Sequence, residues 1–238
     1  MEISITCNNL SIPAEPCPKY LGVTLDRSLT FKSHLQQSAA KINARNDLLR
    51  RLTGTNWGAS FHVLRTSAIA LAYSAAEYAA PVWSKSKHVK LVDTALNSMM
   101  QLVSGCIRPT PVTQLPVLSG ILPQDIWRKE SCYKLACRAL ANPDHLLHDA
   151  VSSATPGAIY RLKSRSPLSA SIAGSLRDPN GGPTEQWQAR WSAQDSPLRR
   201  LLPDISLHPP GHNLPRAAWV RLNRLRSGCG HFRATTYC

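Results

Sequence analysis

The spacing of apolar residues changes once, sharply, near Phe31, and that change constrains the fold more than any other feature of the chain. Before it, residues 2–6, 10–13 and 19–25 are short β-prone runs, the first two separated by Cys7, Asn8 and Asn9, whose paired asparagines tolerate the turn geometry of a hairpin. Three such strands make a small antiparallel sheet that needs a packing partner to be stable. After it, the period is helical. Phe31, Leu35, Ala39, Ile42, Leu49 and Leu52 form one stripe, with Thr30 or Ser33 available as a cap and Gly54 past the end.

The helical reading continues to residue 152. A second helix is expected to carry Trp57, Phe61, Leu64, Ala68, Leu71 and Ala75, and because Val63, Ile69, Tyr73 and Ala76 occupy its other faces it reads as the central, most buried one, ending before Pro81. A third shows Val89, Val92, Leu96, Met99 and Val103 before Gly105. A short fourth follows Thr110 and Pro111 and stops at Gly120; a fifth runs from near Pro123 through Ile126, Tyr133, Cys137 and Leu140 to Asn142; a brief sixth spans 144–151. Between 156 and 215 lie nine of the eighteen prolines with little periodicity, which reads as a linker of poor tertiary order with one helical island at 183–193. A final amphipathic helix begins near Pro215 and ends at Gly228. The fold class expected is α+β, mainly α: a small N-terminal antiparallel sheet over 1–30, a helical bundle over 31–152, a Pro-rich C-terminal linker over 153–214, and a basic helix with its tail over 215–238.

Charge then narrows the function. Lys and Arg number 28 against 14 Asp and Glu, a formal net charge of +14, with a sequence pI near 9.9. Such an excess favours a polyanionic partner, most simply nucleic acid. The longest uncharged apolar stretch of the helical region, 66–76, is far short of the roughly 20 residues a spanning helix needs, so no membrane role is expected. The N-terminus lacks the pattern of a secretory signal, and the seven cysteines are odd in number and scattered, which points to an intracellular location with reduced thiols.

Four segments, in order, carry a resemblance: Lys19-Tyr20-Leu21-Gly22-Val23-Thr24-Leu25-Asp26 followed by Ser28-Leu29-Thr30-Phe31; Tyr78-Ala79-Ala80-Pro81-Val82-Trp83; Gly120-Ile121-Leu122-Pro123; and Leu222-Asn223-Arg224-Leu225-Arg226-Ser227-Gly228. Over about 1–140 and 215–233 the chain resembles the region after the catalytic palm in reverse transcriptases of non-LTR, LINE-type retrotransposons, jockey-like elements in particular. The resemblance implies that residues 1–30 end a palm, that Tyr20, Leu21, Gly22 and Val23 are primer-grip-like, and that a helical thumb follows. It implies RNA or an RNA–DNA hybrid as partner, and in the intact parent an RNA-directed DNA polymerase using a divalent metal such as magnesium. The parent's metal-binding aspartates lie upstream of this strand, and no adjacent Asp-Asp pair occurs here. The chain by itself is therefore expected to be inactive, to have no catalytic residues and to hold no cofactor.

Residue by residue, glycine at 22 would let a primer backbone approach, while the plainer role of Tyr20 and Val23 is to pack a sheet. Asp26 reads as a turn residue. Lys32, Lys41, Arg45, Arg50, Arg51, Arg65, Lys85, Lys87 and Lys90 suit a surface that tracks phosphates, although any one of them also suits a solvated face. On the last helix Ala218, Leu222, Leu225 and Cys229 form an apolar stripe opposite Arg216, Arg221 and Arg224, so that one face would dock and the other meet nucleic acid. Trp187 and Trp191 read as an anchoring pair before a stacking one. Cys229, His231 and Cys238 give three ligands where structural zinc takes four, and Pro209-Pro210-Gly211 preclude a helix that would align His208 with His212. No Gly-rich phosphate loop and no Gly-X-Ser-X-Gly elbow is present. The alternatives are a basic helical-bundle interaction module and the remnant of a decayed element. An uncovered sheet would also favour self-association.

Overall fold

The computed structural model of the chain describes residues 5–7, 10–12, 15–54, 56–153, 168–176 and 181–230. Four short strands come first: β1 (Ile5–Cys7), β2 (Leu10–Ile12), β3 (Lys19–Tyr20) and β4 (Val23–Thr24). They form two separate antiparallel ladders, β1 with β2 and β3 with β4, rather than one three-stranded sheet. The continuous strand expected over 19–25 is instead a tight hairpin. Leu21 and Gly22 both take positive φ, 44° and 81°, which reverses the chain over two residues in the sense that matches strand twist.

The helices are α1 (Lys32–Arg50), α2 (Phe61–Ala68), α3 (Ser74–Ala76), α4 (Ala80–Trp83), α5 (Lys90–Ser104), α6 (Leu115–Ser119), α7 (Gln124–Ala141), α8 (His148–Ser152), α9 (Leu168–Ser175), α10 (Pro183–Ser192), α11 (Pro197–Leu201) and α12 (Arg216–Arg226). The described residues are thus mainly helical, with the small antiparallel element at the N-terminus, as the pattern predicts. No described helix is long and apolar enough to cross a membrane.

The centre is α5, not the second helix. Val92, Ala95, Leu96, Met99, Met100, Val103 and Ser104 are all buried, and α1, α2, α6 and α12 pack around it. The second helix begins at Phe61, where Ser60 caps Val63 N–H, and leaves Trp57 outside it at 66% exposure. A π-helical turn over Ile69–Tyr73 then joins α2 to α3. The wider turn rotates the buried face, so Ala72 and Tyr73 point inward while Leu71 is 42% exposed. Strict 3.6-residue spacing would place Leu71 inside.

Residues 183–202 join the same core. The expected island is present as α10, with Trp187 and Trp191 buried as anchors, and Leu198 and Leu202 follow them in. Where one helix was expected across 153–214 there are three, α9, α10 and α11. Proline at the first turn of α10 and α11, where its missing N–H costs nothing, accounts for helices in so proline-rich a stretch. A second, smaller cluster of Ala136, Ala139, Val151, Ile172 and Ala173 closes α7 against α8 and α9.

Candidate nucleic-acid interface

The β3–β4 hairpin is fastened by one strand and free on the other. Val23 and Thr24 are buried; Thr24 N–H donates to His34 Nδ1 at 3.4 Å and its hydroxyl to Gln37 Oε1 at 3.2 Å, both on α1. Tyr20 and Leu21 project, 68% and 75% exposed. The tip is pinned from across the chain: Tyr78 Oη donates to the Leu21 carbonyl at 2.8 Å. A Cβ on Gly22 would stand 3.0 Å from Tyr78 Cε1. Glycine at 22 is thus accounted for by its positive φ and by the Tyr78 ring, which takes up the space that the sequence assigned to a primer backbone. Tyr78 is itself fixed, because Trp83 Nε1, on a fully buried ring, donates to the Tyr78 carbonyl at 2.9 Å.

Next to this hairpin lies a tight turn organised by Asp26, whose carboxylate accepts from Ser28 N–H, Thr30 N–H and the Thr30 hydroxyl at 3.1, 2.9 and 2.9 Å. Burial alone would raise the Asp26 carboxyl, but the hydrogen bonds from Thr30, Phe31 and Ser28 outweigh it and hold it below the usual value. Asp26 is a turn residue. The Thr30 carbonyl then accepts from Ser86 Oγ at 2.6 Å, which ties the start of α1 to the α4–α5 loop. That single bond gathers cations from two segments: Arg27 and Lys32 on one side, Lys85, Lys87 and Lys90 on the other, all exposed. Lys19 and Lys41 are close enough to His34 that, after burial, their charge depresses its pKa. None of Lys32, Lys41, Lys85, Lys87 and Lys90 pairs with a carboxylate among the described residues.

The arginines are placed differently. Arg45 donates to the Leu71 carbonyl, Arg50 pairs with Asp47, and Arg65 Nε donates to the Gly120 carbonyl at 2.8 Å. Arg51 and Arg221 are exposed. Arg216 is only 6% exposed, and its guanidinium donates to the carbonyls of Leu102 (2.7 Å), Val103 (2.8 Å) and Gly54 (3.4 Å). Trp219 Nε1 adds a second donor to Val103 O at 3.2 Å, Asn223 Nδ2 reaches Ser104 O at 2.9 Å, and Arg224 Nε reaches Gly105 O at 3.1 Å. The orphan carbonyls at the end of α5 are therefore met in sequence by side chains of α12. Gly105, at φ 75°, completes the stop: a Cβ there would meet Val220 Cγ2 at 2.4 Å.

This corrects the expected face of the last helix. It docks by Arg216, Trp219, Val220 and Asn223, and Leu225, assigned to the docking stripe, is 61% exposed. The physical reason is that the groove it enters is a helix C-terminus, where positive charge and donors stabilise. Burial lowers the Arg216 pKa to about 10 without removing its charge near neutrality. Arg216, and in part Arg224, are thus structural cations rather than surface ones. The recurrence of Arg216, Trp219 and Asn223 at three- and four-residue steps was the available signal.

One cluster has no counterpart in the sequence reading, and a second brings together the two histidines for which the sequence offers no aligning helix. Arg128, buried on α7, donates to Asp93 Oδ1 at 2.8 Å and Glu77 Oε1 at 3.4 Å, and its guanidinium lies 5.7 Å from the Trp83 ring centroid. Burial, only partly countered by Arg128, pushes the Glu77 carboxyl up to about 7, and its Oε2 is buried without a partner. His208 and His212 are brought to 5.2 Å between ring centroids, and His62 to 5.1 Å from His208. No helix aligns them; the turn closed by His212 N–H on Pro209 O does. Among the described residues no group of three His, Cys, Asp or Glu side chains is arranged to hold a metal ion, and His231 and Cys238 lie outside those residues.

No protein-family model matches the chain, and no solved structure matches it. A curated protein does: the retrovirus-related Pol polyprotein from type-1 retrotransposable element R1 4 of Nasonia vitripennis is 26% identical over 208 residues, which cover 85% of this chain. The matched region spans about half, 49%, of that relative's length. The likeness supports a retrotransposon-related origin for the chain.

Proposed function

We propose that the chain is the post-palm part of a reverse transcriptase of a non-LTR, jockey-like retrotransposon, with residues 1–30 as the palm's end and 31–152 as a thumb-like bundle that holds RNA or an RNA–DNA hybrid by its phosphates. One observation carries this reading: Tyr78 meets the Leu21–Gly22 turn, 57 residues away in sequence, and the turn that follows is tied through Thr30 and Ser86 to the segment that carries the exposed Lys85, Lys87 and Lys90. Tyr78 and the Leu21–Gly22 turn lie in two of the segments on which the resemblance rests. The likeness to a Pol polyprotein supports it further. Lysines act as point charges toward phosphate, so the binding is sequence-tolerant and steeply salt-dependent.

The divalent metal of the parent enzyme finds no fit here. Asp26 spends its carboxylate oxygens on Ser28 and Thr30, and no other acid of the described residues converges with it. No polymerase step is assigned to this chain, and primer, template and magnesium should give no extension. A second reading, a basic bundle that meets an acidic protein, draws support from the internal use of Arg45, Arg65, Arg216 and Arg224. Fluorescence anisotropy with a labelled RNA–DNA hybrid across a salt series separates the two. The double variant Lys85→Glu/Lys87→Glu should weaken binding and flatten the salt slope by about 0.7–0.9 for each phosphate that is no longer neutralised. An unchanged slope removes this surface from the interface.

A further inference from the structure

Three imidazoles from two segments meet beside the first turn of α2. His62 belongs to that turn, and His208 and His212 come from the loop between α11 and α12. Ring centroids lie 5.1 Å apart for His62 and His208 and 5.2 Å apart for His208 and His212, with the planes tilted by 47° and 32°. The loop is braced to keep them there. Ser206 Oγ accepts from His208 N–H at 3.0 Å, His212 N–H donates to Pro209 O at 3.0 Å, and Arg226 donates to Pro210 O at 2.8 Å. The His212 ring packs edge-on against buried Phe61. Gly120 closes the other side: a Cβ there would stand 2.5 Å from Leu207 O, and its own carbonyl accepts from Arg65 Nε. His62 and His208 are exposed and His212 is half-buried, and their ring nitrogens bond to nothing among the described residues.

The charges around these rings are of one sign. The first turn of α2 holds no acidic residue, and Arg65 follows His62 within one turn. Desolvation first, and then His212, Arg65 and His62, hold the His208 imidazole below its ordinary value, with no carboxylate among the groups that act on it. An anion between the rings reverses that balance, because it favours the charged imidazole and gives the ring N–H groups an acceptor. A carboxylate is planar and suits a single fork such as arginine's; a phosphate, with its oxygens out of one plane, suits rings tilted to one another. We propose that His62, His208 and His212, with Arg65 beside them, form a site for a phosphate of a nucleic-acid strand that takes up protons as it fills. This rests on the nucleic-acid reading above and adds a contact whose strength follows pH near neutrality, as that of a lysine does not. The bound phosphate favours the charged rings, so the contact is fully present at low pH and is lost as pH rises through the imidazole range, about 6 to 8.

The test uses the full chain and a fluorescent RNA–DNA hybrid at fixed ionic strength, without terminal phosphates, which would themselves titrate at about pH 6. Affinity should rise about tenfold from about pH 7.5 to about pH 6, the change that one proton taken up produces per pH unit. His62→Asn/His208→Asn, at two exposed positions, should remove most of that rise while leaving the melting temperature and the salt slope at about pH 8 unchanged. His208→Arg, a fixed cation, should bind more tightly than the parent chain at about pH 8 and depend less on pH. Glu77 titrates at about 7, so the series is repeated with Glu77→Gln, in which the rise should persist. In a second arm inorganic phosphate is added to the chain alone while the imidazole C–H signals are followed by NMR. Signals moved by inorganic phosphate, together with hybrid binding that ignores pH, would assign the site to free phosphate and overturn its assignment to a strand. Hybrid binding equally tight at both pH values, with the imidazole signals unmoved, overturns the site and leaves the lysine contacts standing. Absence of binding to the hybrid at low salt at either pH overturns the nucleic-acid reading and this site together.

Discussion

Replacing Arg216 by methionine tests the most consequential correction to the sequence reading, because a buried cap and a nucleic-acid contact predict opposite results. Methionine keeps much of the side-chain volume and removes the guanidinium. Val103 O retains Trp219 Nε1, but Leu102 O is deprived of a donor at 2.7 Å and Gly54 O of one at 3.4 Å. A buried carbonyl left without a partner costs about 1–3 kcal/mol, and loss of a cation at a helix C-terminus adds about 0.3–1 kcal/mol. Against this stands the cost of burying the charge, visible in the lowered Arg216 pKa, which the variant no longer carries. The net expectation is a destabilisation of about 2–3 kcal/mol, a large share of a domain's stability. Urea unfolding followed by tryptophan fluorescence measures it. Arg216→Lys, a single ammonium in place of a fork, should fall between the two. Under conditions where the variant is fully folded, its affinity for the hybrid should stay within about twofold of the parent chain's. A stability change under about 0.5 kcal/mol, typical of a neutral surface substitution, would refute the cap. A large drop in affinity with unchanged stability would return Arg216 to the surface.

The Glu77 carboxyl, raised from 4.5 to about 7, ties stability to pH. Between those values the folded chain keeps a proton that the unfolded chain has released, so the contribution of Glu77 to stability is fully present below about 4.5 and is lost as pH rises through 7, by an amount on the order of 3 kcal/mol. Glu77→Gln should flatten that slope in melting temperatures recorded from pH 5 to 8, and a slope unchanged by the substitution would mean that Glu77 is ionised throughout. Gly105→Ala forces a methyl to within 2.4 Å of Val220 Cγ2 at a φ of 75°, and should cost about 1–3 kcal/mol in urea unfolding by overpacking and backbone strain. Asp26→Ala removes the acceptor of three hydrogen bonds that shape the turn before α1; hydrogen exchange at Ser28 and Thr30 amides should accelerate, while the protection of Leu96 and Met99 on α5 stays as it is.

What the sequence made legible follows from how local each decision is. The third and fifth helices were readable because their apolar spacing and stops, Gly105 and Asn142, lie within the elements themselves. The hairpin at 19–24 was not, because a leucine rarely takes positive φ and the residue that holds Leu21 there, Tyr78, arrives from 57 positions away. The π turn over Ile69–Tyr73 has no composition of its own, and it alone moved Leu71 out and Ala72 in. The site divided in the same way. The lysines are exposed, as a solvated or phosphate-tracking face requires, but Tyr20, whose plainer role was to pack a sheet, is 68% exposed, and the face of α12 is set by the carbonyls at the end of α5 that need donors rather than by apolar spacing.

In a basic chain the two kinds of cation divide by their physical chemistry. Arginine presents several donors in a rigid plane and carries its charge into buried places, so a fold with helix ends to satisfy draws on it first; lysine, strongly hydrated and flexible, stays outside. Here Arg45, Arg65, Arg216 and Arg224 each donate to a backbone carbonyl, and Arg50 and Arg128 to carboxylates, while Lys32, Lys41, Lys85, Lys87 and Lys90 remain exposed. The formal charge of +14 therefore overstates what a polyanion can reach, since part of it is already neutralised or committed inside the fold. The lysines about the Ser86–Thr30 bond belong to the part left over, together with Arg51 and Arg221, and the hairpin that precedes Thr30 in the chain presents Tyr20 to solvent. It is that coincidence, rather than the size of the charge, that directs a search for a ligand to this end of the molecule.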